Sequence, residues 1–156
     1  TSLIAPESVC SNETNSDATE KQKLNAMFCM ANYARKQSGL QKLKRNSKLD
    51  WSAKKKSVEI LWCQEFSHTA CDRKFEYWML RSKYPRQCYS IAENIAWGSG
   101  YLGNVRQIFI AWMKSPPHRH ALLSPLYKDS GIGMTTGQFL GYNGAAIWTQ
   151  HFGKNC

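Results

Sequence analysis

Tyr89-Ser90-Ile91-Ala92-Glu93-Asn94-Ile95-Ala96-Trp97 is the stretch on which the division of the chain turns. Tyr89, Ile91, Ile95 and Trp97 bracket the Glu93-Asn94 pair in an extended, β-branched and aromatic run. On either side the period changes to that of helices. Upstream, Leu24, Met27, Phe28, Ala31 and Arg35 share one helical face, with Thr19 able to cap it and Ser38-Gly39 able to end it. A second helix is predicted over residues 47–63, where Leu49, Ala53, Ser57, Ile60 and Leu61 form an apolar face and Lys54, Lys55 and Lys56 crowd the other side. Residues 75–81 predict a short helix stopped before Pro85. Downstream, Val105, Ile108, Phe109, Trp112 and Met113 recur at helical spacing to about Lys114, where Pro116 and Pro117 prevent continuation. The tail reads as strands over 130–135 and 145–152, joined by a 137–144 connection with its turn at Asn143-Gly144. Helices followed by strands imply an α+β fold, with helices packed on a mainly antiparallel sheet.

A chain of 156 residues fits one compact domain. Residues 1–18 are polar and aperiodic and read as an extended arm held by Cys10; residues 19–156 form the domain. Six cysteines in this length suit three disulfides and an oxidising, extracellular compartment, since no CxxC knuckle accompanies them. Cys63 and Cys71 close the shortest loop and are expected to pair, clamping the segment that carries His68. The other four, Cys10, Cys29, Cys88 and Cys156, are expected as Cys29 with Cys88 and Cys10 with Cys156. The start as given carries no signal peptide, as a processed secreted chain would, and no run of eighteen apolar residues predicts a membrane span. Asn12-Glu13-Thr14 is a glycosylation sequon, of consequence in a eukaryotic source.

The net charge of +10 favours an acidic partner such as anionic lipid, a wall polymer or an acidic protein surface, or else serves only solubility. No helix-turn-helix, zinc-finger or RNP pattern accompanies the charge, so specific nucleic-acid recognition is not expected.

Chemistry concentrates in His68, Glu93 and His118. Two neutral imidazoles and a carboxylate suit a divalent cation, zinc above all and magnesium as the other choice, with water in an open position. The three have no helical spacing to one another, so only the fold can bring them together. Glu65, Ser115 and His151 are further candidates for the lining of such a cavity. Between apolar neighbours, Glu93 is expected to be desolvated and protonated until a cation arrives. Ser67, Thr69, Ser115 and Thr149 raise the question of nucleophilic catalysis, yet no GxSxG elbow is present. Asn94 and Arg119 read as structural, their donors satisfying backbone carbonyls. Trp112, Phe109 and Phe28 belong to apolar helix faces; Trp51, Trp62, Trp78 and Trp97 fit the periods less well and are candidates for a lipid or glycan groove.

Taken in order, Asn32-Tyr33-Ala34-Arg35, Phe66-Ser67-His68, Ala92-Glu93-Asn94-Ile95-Ala96, Trp112-Met113-Lys114-Ser115-Pro116-Pro117-His118-Arg119, Asp129-Ser130-Gly131-Ile132-Gly133 and Trp148-Thr149-Gln150-His151-Phe152-Gly153 resemble the CAP superfamily. The SCP-like secreted domains of bacterial type are the nearest pattern. The resemblance implies a three-layer α-β-α sandwich, secretion, and a cavity in which eukaryotic members place two histidines and two glutamates around a divalent ion. His68 and Glu93 fall on two of those positions. Ser115 stands where the second glutamate would be and Ile147 where the second histidine would be, and the bacterial pattern offers His118 instead. The expected function is a secreted recognition module whose cavity holds a cation and whose basic surface meets an anionic lipid, wall component or protein. The alternative is a metal-assisted hydrolase of a peptide, glycan or phosphodiester using the same cavity. Substrate, activity and oligomeric state are not legible in the sequence.

Overall fold

The computed structural model describes residues 2–156. Its elements are α1 (Glu20–Gln37), β1 (Lys44–Arg45), α2 (Ser47–Cys63), α3 (Tyr77–Arg81), β2 (Tyr89–Ser99), α4 (Val105–Lys114), α5 (Pro116–Leu122), β3 (Asp129–Phe139) and β4 (Tyr142–Asn155), with single 3-10 turns at Ala70–Asp72 and Gly100–Gly103. The helix ends are set by local chemistry. Thr19 and Gln22 form a reciprocal capping box on α1, and the Asn46 side chain accepts from the Lys48 and Leu49 amides at the start of α2. Each such cap is worth about 1 kcal/mol. Pro116 opens α5 rather than merely ending α4, because proline is tolerated in a helix's first turn.

The sheet runs β1-β3-β4-β2; β3–β4 and β4–β2 are antiparallel, and the two-residue β1 pairs parallel to β3 at the edge. Strand alternation sends Trp148, Phe152 and Ala146 of β4 to one face, against α1, α4 and α5. It sends Ala145 and Ile147 to the other, against Ile60 of α2. The three layers expected from the resemblance are therefore present, around a mixed sheet that is antiparallel except at that edge. The β3–β4 turn corrects the expected position: it is Leu140-Gly141, both with positive φ, and Phe139 pairs with Tyr142. Asn143-Gly144 lies inside β4 instead, because the strands extend further than their apolar alternation does.

Helix α2 lies unusually close to the sheet. A Cβ on Gly131 would collide with the backbone at Leu49 and Asp50, and one on Gly133 with Ala53 and Lys54. Where the backbones approach, α2 buries the small residues Ser52, Ala53 and Ser57, with Leu49 and Ile60 buried toward its two ends. The serine hydroxyls bond across the gap, Ser57 Oγ to the Gly133 carbonyl at 3.2 Å and to Thr149 Oγ1 at 2.9 Å.

The N-terminal arm is a series of turns pinned to the body. Ala5 and Cys10 are buried in the core, and Arg106 of α4 donates to the Ala5 carbonyl and the Glu13 carboxylate. Three disulfides form, Cys10–Cys29, Cys63–Cys71 and Cys88–Cys156. Cys63–Cys71 is as expected; the other two pairings are corrected, since the arm folds back onto α1 and the chain end lies beside the start of β2. Among the described residues no helix is long and apolar enough to cross a membrane.

Candidate functional site

Glu93 occupies the middle of β2, directly opposite His151 of β4 in the ladder, so the two side chains share the face covered by α2. His151 Nε2 bonds Glu93 Oε2 at 2.7 Å. Behind it, His151 Nδ1 lies 2.7 Å from Ser52 Oγ of α2. From the other side the loop after α2 delivers His68, whose Nδ1 bonds Glu93 Oε1 at 2.8 Å. That loop is fixed by a left-handed residue at Gln64, by the Ser67 and Thr69 hydroxyls bonding one another, and by the Cys63–Cys71 bridge. Glu93 and His151 are buried while the His68 side chain is about half exposed, so the chain of contacts reaches from core to solvent.

Lys56 completes the arrangement. Its ammonium is buried, donates to the His68 carbonyl, and sits 4.0 Å from Glu93 Oε1 and 3.8 Å from Glu59 Oε2. This corrects its expected place on the solvent face of α2: of the three consecutive lysines Lys55 is exposed, Lys54 partly so and Lys56 buried. Glu59, also buried, receives the Trp78 indole N–H at 2.9 Å and faces Arg73 at 3.4 Å.

The ionisation of Glu93 follows. Burial alone pushes its carboxyl up; hydrogen bonds from His151 and His68, and the charges of His151 and Lys56, outweigh that and hold it below the ordinary carboxylate range. The expectation of a protonated Glu93 waiting for a cation is thereby corrected, because the His151 and His68 hydrogen bonds first, and the charges of His151 and Lys56 after them, offset its burial.

His118 stands apart from the carboxylate. It lies in the first turn of α5, its carbonyl accepts from the Asn94 amide at 3.0 Å, and its Nδ1 is buried without a hydrogen-bond partner among the described residues. Burial first, and the nearby His68 second, lower its pKa. Asn94 thus ties β2 to α5, the structural role expected of it, and Arg119 donates to the Met113 carbonyl. Ser115 is the residue before α5, and Glu65 is exposed on the loop beyond α2. The groove at the site, about 530 Å³, is lined by His68, Thr69, Lys74, Phe75, Ile91 and Glu93 among others; Glu65, Ser115, His118 and His151 are not in its wall.

The donor set does not fit a divalent cation. The two imidazoles approach opposite oxygens of Glu93 rather than a shared centre, and the Lys56 ammonium adds positive charge where an ion would have to bind. Among the described residues no three His, Cys, Asp or Glu side chains converge as a metal site. Ser52, His151 and Glu93 do form a serine-histidine-carboxylate relay, but Ser52 and His151 are fully buried and Ser52 Oγ also lies 3.1 Å from the Leu49 carbonyl, so no substrate can reach that hydroxyl. Ser52, Lys56 and Glu59 are the residues that sequence reasoning missed. The available signal was Lys56 itself, three after Ala53 and four before Ile60, a lysine on the apolar stripe.

The sequence profile of the CAP family, described as the cysteine-rich secretory protein family, matches residues 30–152, and the chain belongs to that family. Solved structures with the same fold include an extracellular SCP-domain protein from Bacillus anthracis (TM-score 0.70, 22% identity, covering 85% of this chain and 40% of that one). An outer surface protein from Borrelia burgdorferi is similar at TM-score 0.70 and 21% identity, over 88% of this chain and 96% of its own. A cysteine-rich secretory protein from Staphylococcus aureus is similar at TM-score 0.66 and 22% identity, over 87% and 39%. The chain thus spans about two fifths of the Bacillus and Staphylococcus proteins. No curated protein matches it in sequence.

Proposed function

We propose that this chain is a secreted recognition domain that engages an anionic partner through its basic surface, without a metal step. The observation that carries the reading is how little of the positive charge is used internally. Of 21 lysines and arginines, five (Arg45, Lys54, Lys56, Arg73 and Arg106) lie within salt-bridge distance of a carboxylate among the described residues. Arg35 is buried on backbone carbonyls, and the net charge of +10 that remains is a field that attracts anions and is screened by salt. Three disulfides, and relatives described as extracellular or outer-surface proteins, support an extracellular setting. The Glu93 cluster, on this reading, holds α2 and the His68 loop to the sheet and keeps the outer surface rigid. The reading is tested by measuring retention on immobilised anionic and neutral polymers at rising salt, before and after chelation. Retention confined to the anionic matrix, lost with salt and indifferent to chelator is expected. Retention abolished by the chelator would restore the metal-dependent reading.

A further inference from the structure

Helix α2 carries a second stripe, opposite in character to its buried one. Its exposed residues are Ser47, Lys48, Trp51, Lys55, Val58 and Trp62, and from Trp51 onward the spacings are four, three and four, so these side chains line one side of the helix. Trp62 is 85% exposed, and Trp51 and Val58 more than 40%. No carboxylate shares the stripe: Asp50 pairs with Arg45, and Glu59 is buried against Lys56 and Arg73. Helix α3 adds exposed Leu80 and Arg81.

Aromatic faces hold the cations in place without neutralising them. The Lys55 ammonium stands 5.4 Å from the Trp51 ring and 5.8 Å from that of Trp78, the Arg73 guanidinium 4.5 Å over Tyr77, and that of Arg81 5.3 Å over the same ring. Lys55 and Arg81 have no carboxylate within salt-bridge distance among the described residues, so their charge remains available.

We propose that the α2–α3 face docks on an anionic lipid bilayer, with Trp51, Val58, Trp62 and Leu80 entering the headgroup boundary and Lys48, Lys55 and Arg81 meeting the lipid phosphates. This names the partner for the anionic-partner reading above and rests on it. Tryptophan, aliphatic residues and lysine or arginine on one helical face match what an interfacial helix uses. A polysaccharide or nucleic acid fits less well. Val58 and Leu80 have no flat face to stack on a sugar or base, and cations already lie over the rings of Trp51, Trp78 and Tyr77.

Co-flotation with phosphatidylcholine vesicles, with and without phosphatidylglycerol, tests the proposal, using wild type, Lys55→Gln, Trp62→Gln and the control Lys36→Gln/Lys42→Gln. All four altered residues are exposed and make no side-chain hydrogen bond among the described residues, so the variants fold. Wild type is expected to float with the phosphatidylglycerol vesicles alone. Lys55→Gln should lower the partition coefficient about fivefold and Trp62→Gln about tenfold, with the control closer to wild type. A loss in the control as large as, or larger than, those in Lys55→Gln and Trp62→Gln would overturn this face while leaving the anionic-partner reading standing. Retention on an anionic polysaccharide column without vesicle binding would overturn the bilayer and keep an anionic partner. Binding to neither would overturn both.

Discussion

Glu93→Gln removes one charge from the centre of the buried cluster with almost no change in shape. In the native protein the carboxylate accepts from His68 at 2.8 Å and His151 at 2.7 Å, and faces the Lys56 ammonium at 4.0 Å. A glutamine amide can keep both contacts as neutral hydrogen bonds, each weaker than its charge-assisted counterpart by about 1 kcal/mol. It leaves Lys56 buried with Glu59 as its remaining counter-charge, at 3.8 Å. An ion pair broken from one side costs about 3–5 kcal/mol when no other partner remains. With Glu59 still present and the desolvation of Glu93 relieved, the net loss is about 3 kcal/mol. For a chain of this size that lowers Tm by about 6–12 °C, readable by circular dichroism with the disulfides intact. Adding Lys56→Met to Glu93→Gln removes the stranded charge, so the double variant should be more stable than Glu93→Gln alone. Glu65→Gln, at an exposed carboxylate that makes no side-chain bond among the described residues, should stay within about 0.5 kcal/mol of wild type. The reasoning is refuted if Glu93→Gln melts with wild type, or if the Lys56 and Glu93 effects simply add.

Removing the Cys63–Cys71 bridge with paired serines frees an eight-residue separation and should cost about 2.5 kcal/mol by loop entropy, with faster amide exchange at Ser67–Thr69 than elsewhere; unchanged exchange there would mean the bridge does not hold the His68 loop. Gly133→Ala drives a methyl into the backbone of α2 and should destabilise by several kcal/mol or abolish folding, whereas Gly141→Ala, at a turn with open space and φ of +88°, should cost about 1 kcal/mol; equal effects in thermal melts would contradict the close approach. Acidification should weaken the fold in two stages. His118 and Glu93 both have pKa values depressed by folding, so each contributes stability that is complete above its unfolded value, near 6.5 and 4.5, and lost as the pH falls through its lower folded value. Tm measured against pH should therefore flatten in the upper stage for His118→Asn and in the lower stage for Glu93→Gln; a wild-type Tm that rises on acidification would reverse the sign.

Much of the fold was legible because its helices announce themselves locally. Thr19, read as the cap of α1, does cap it, and the apolar spacing marked α2 and α4, whose caps Asn46 and Asn104 the structure adds. What was not legible depends on register and on closeness between layers. Glu93 meets His151 because β2 and β4 align them as partners, and no spacing within either strand encodes that. Ser57 falls on the apolar stripe, but Ser52 looks polar and solvent-facing until the glycines of β3 are seen to bring the helix backbone onto the sheet. Lys56 was misplaced for the same reason: a lysine reads as surface unless Glu93 of another element is known to await it together with Glu59 one turn along its own helix. The cysteine pairings at Cys10 and Cys156 likewise follow from where the chain's ends lie, not from loop length. His68 and Glu93, taken from the resemblance, are brought together; His118 is a neighbour of the cluster and no part of it.

We propose that Lys56, whose ammonium lies 4.0 Å from Glu93, takes the place that a metal would otherwise fill there. Calorimetric titration of chelator-treated protein with Zn²⁺, run beside His68→Ala and Glu93→Gln, tests it most directly. The account predicts no stoichiometric binding that depends on His68 or Glu93. One equivalent of zinc bound by wild type and lost in both variants would contradict it.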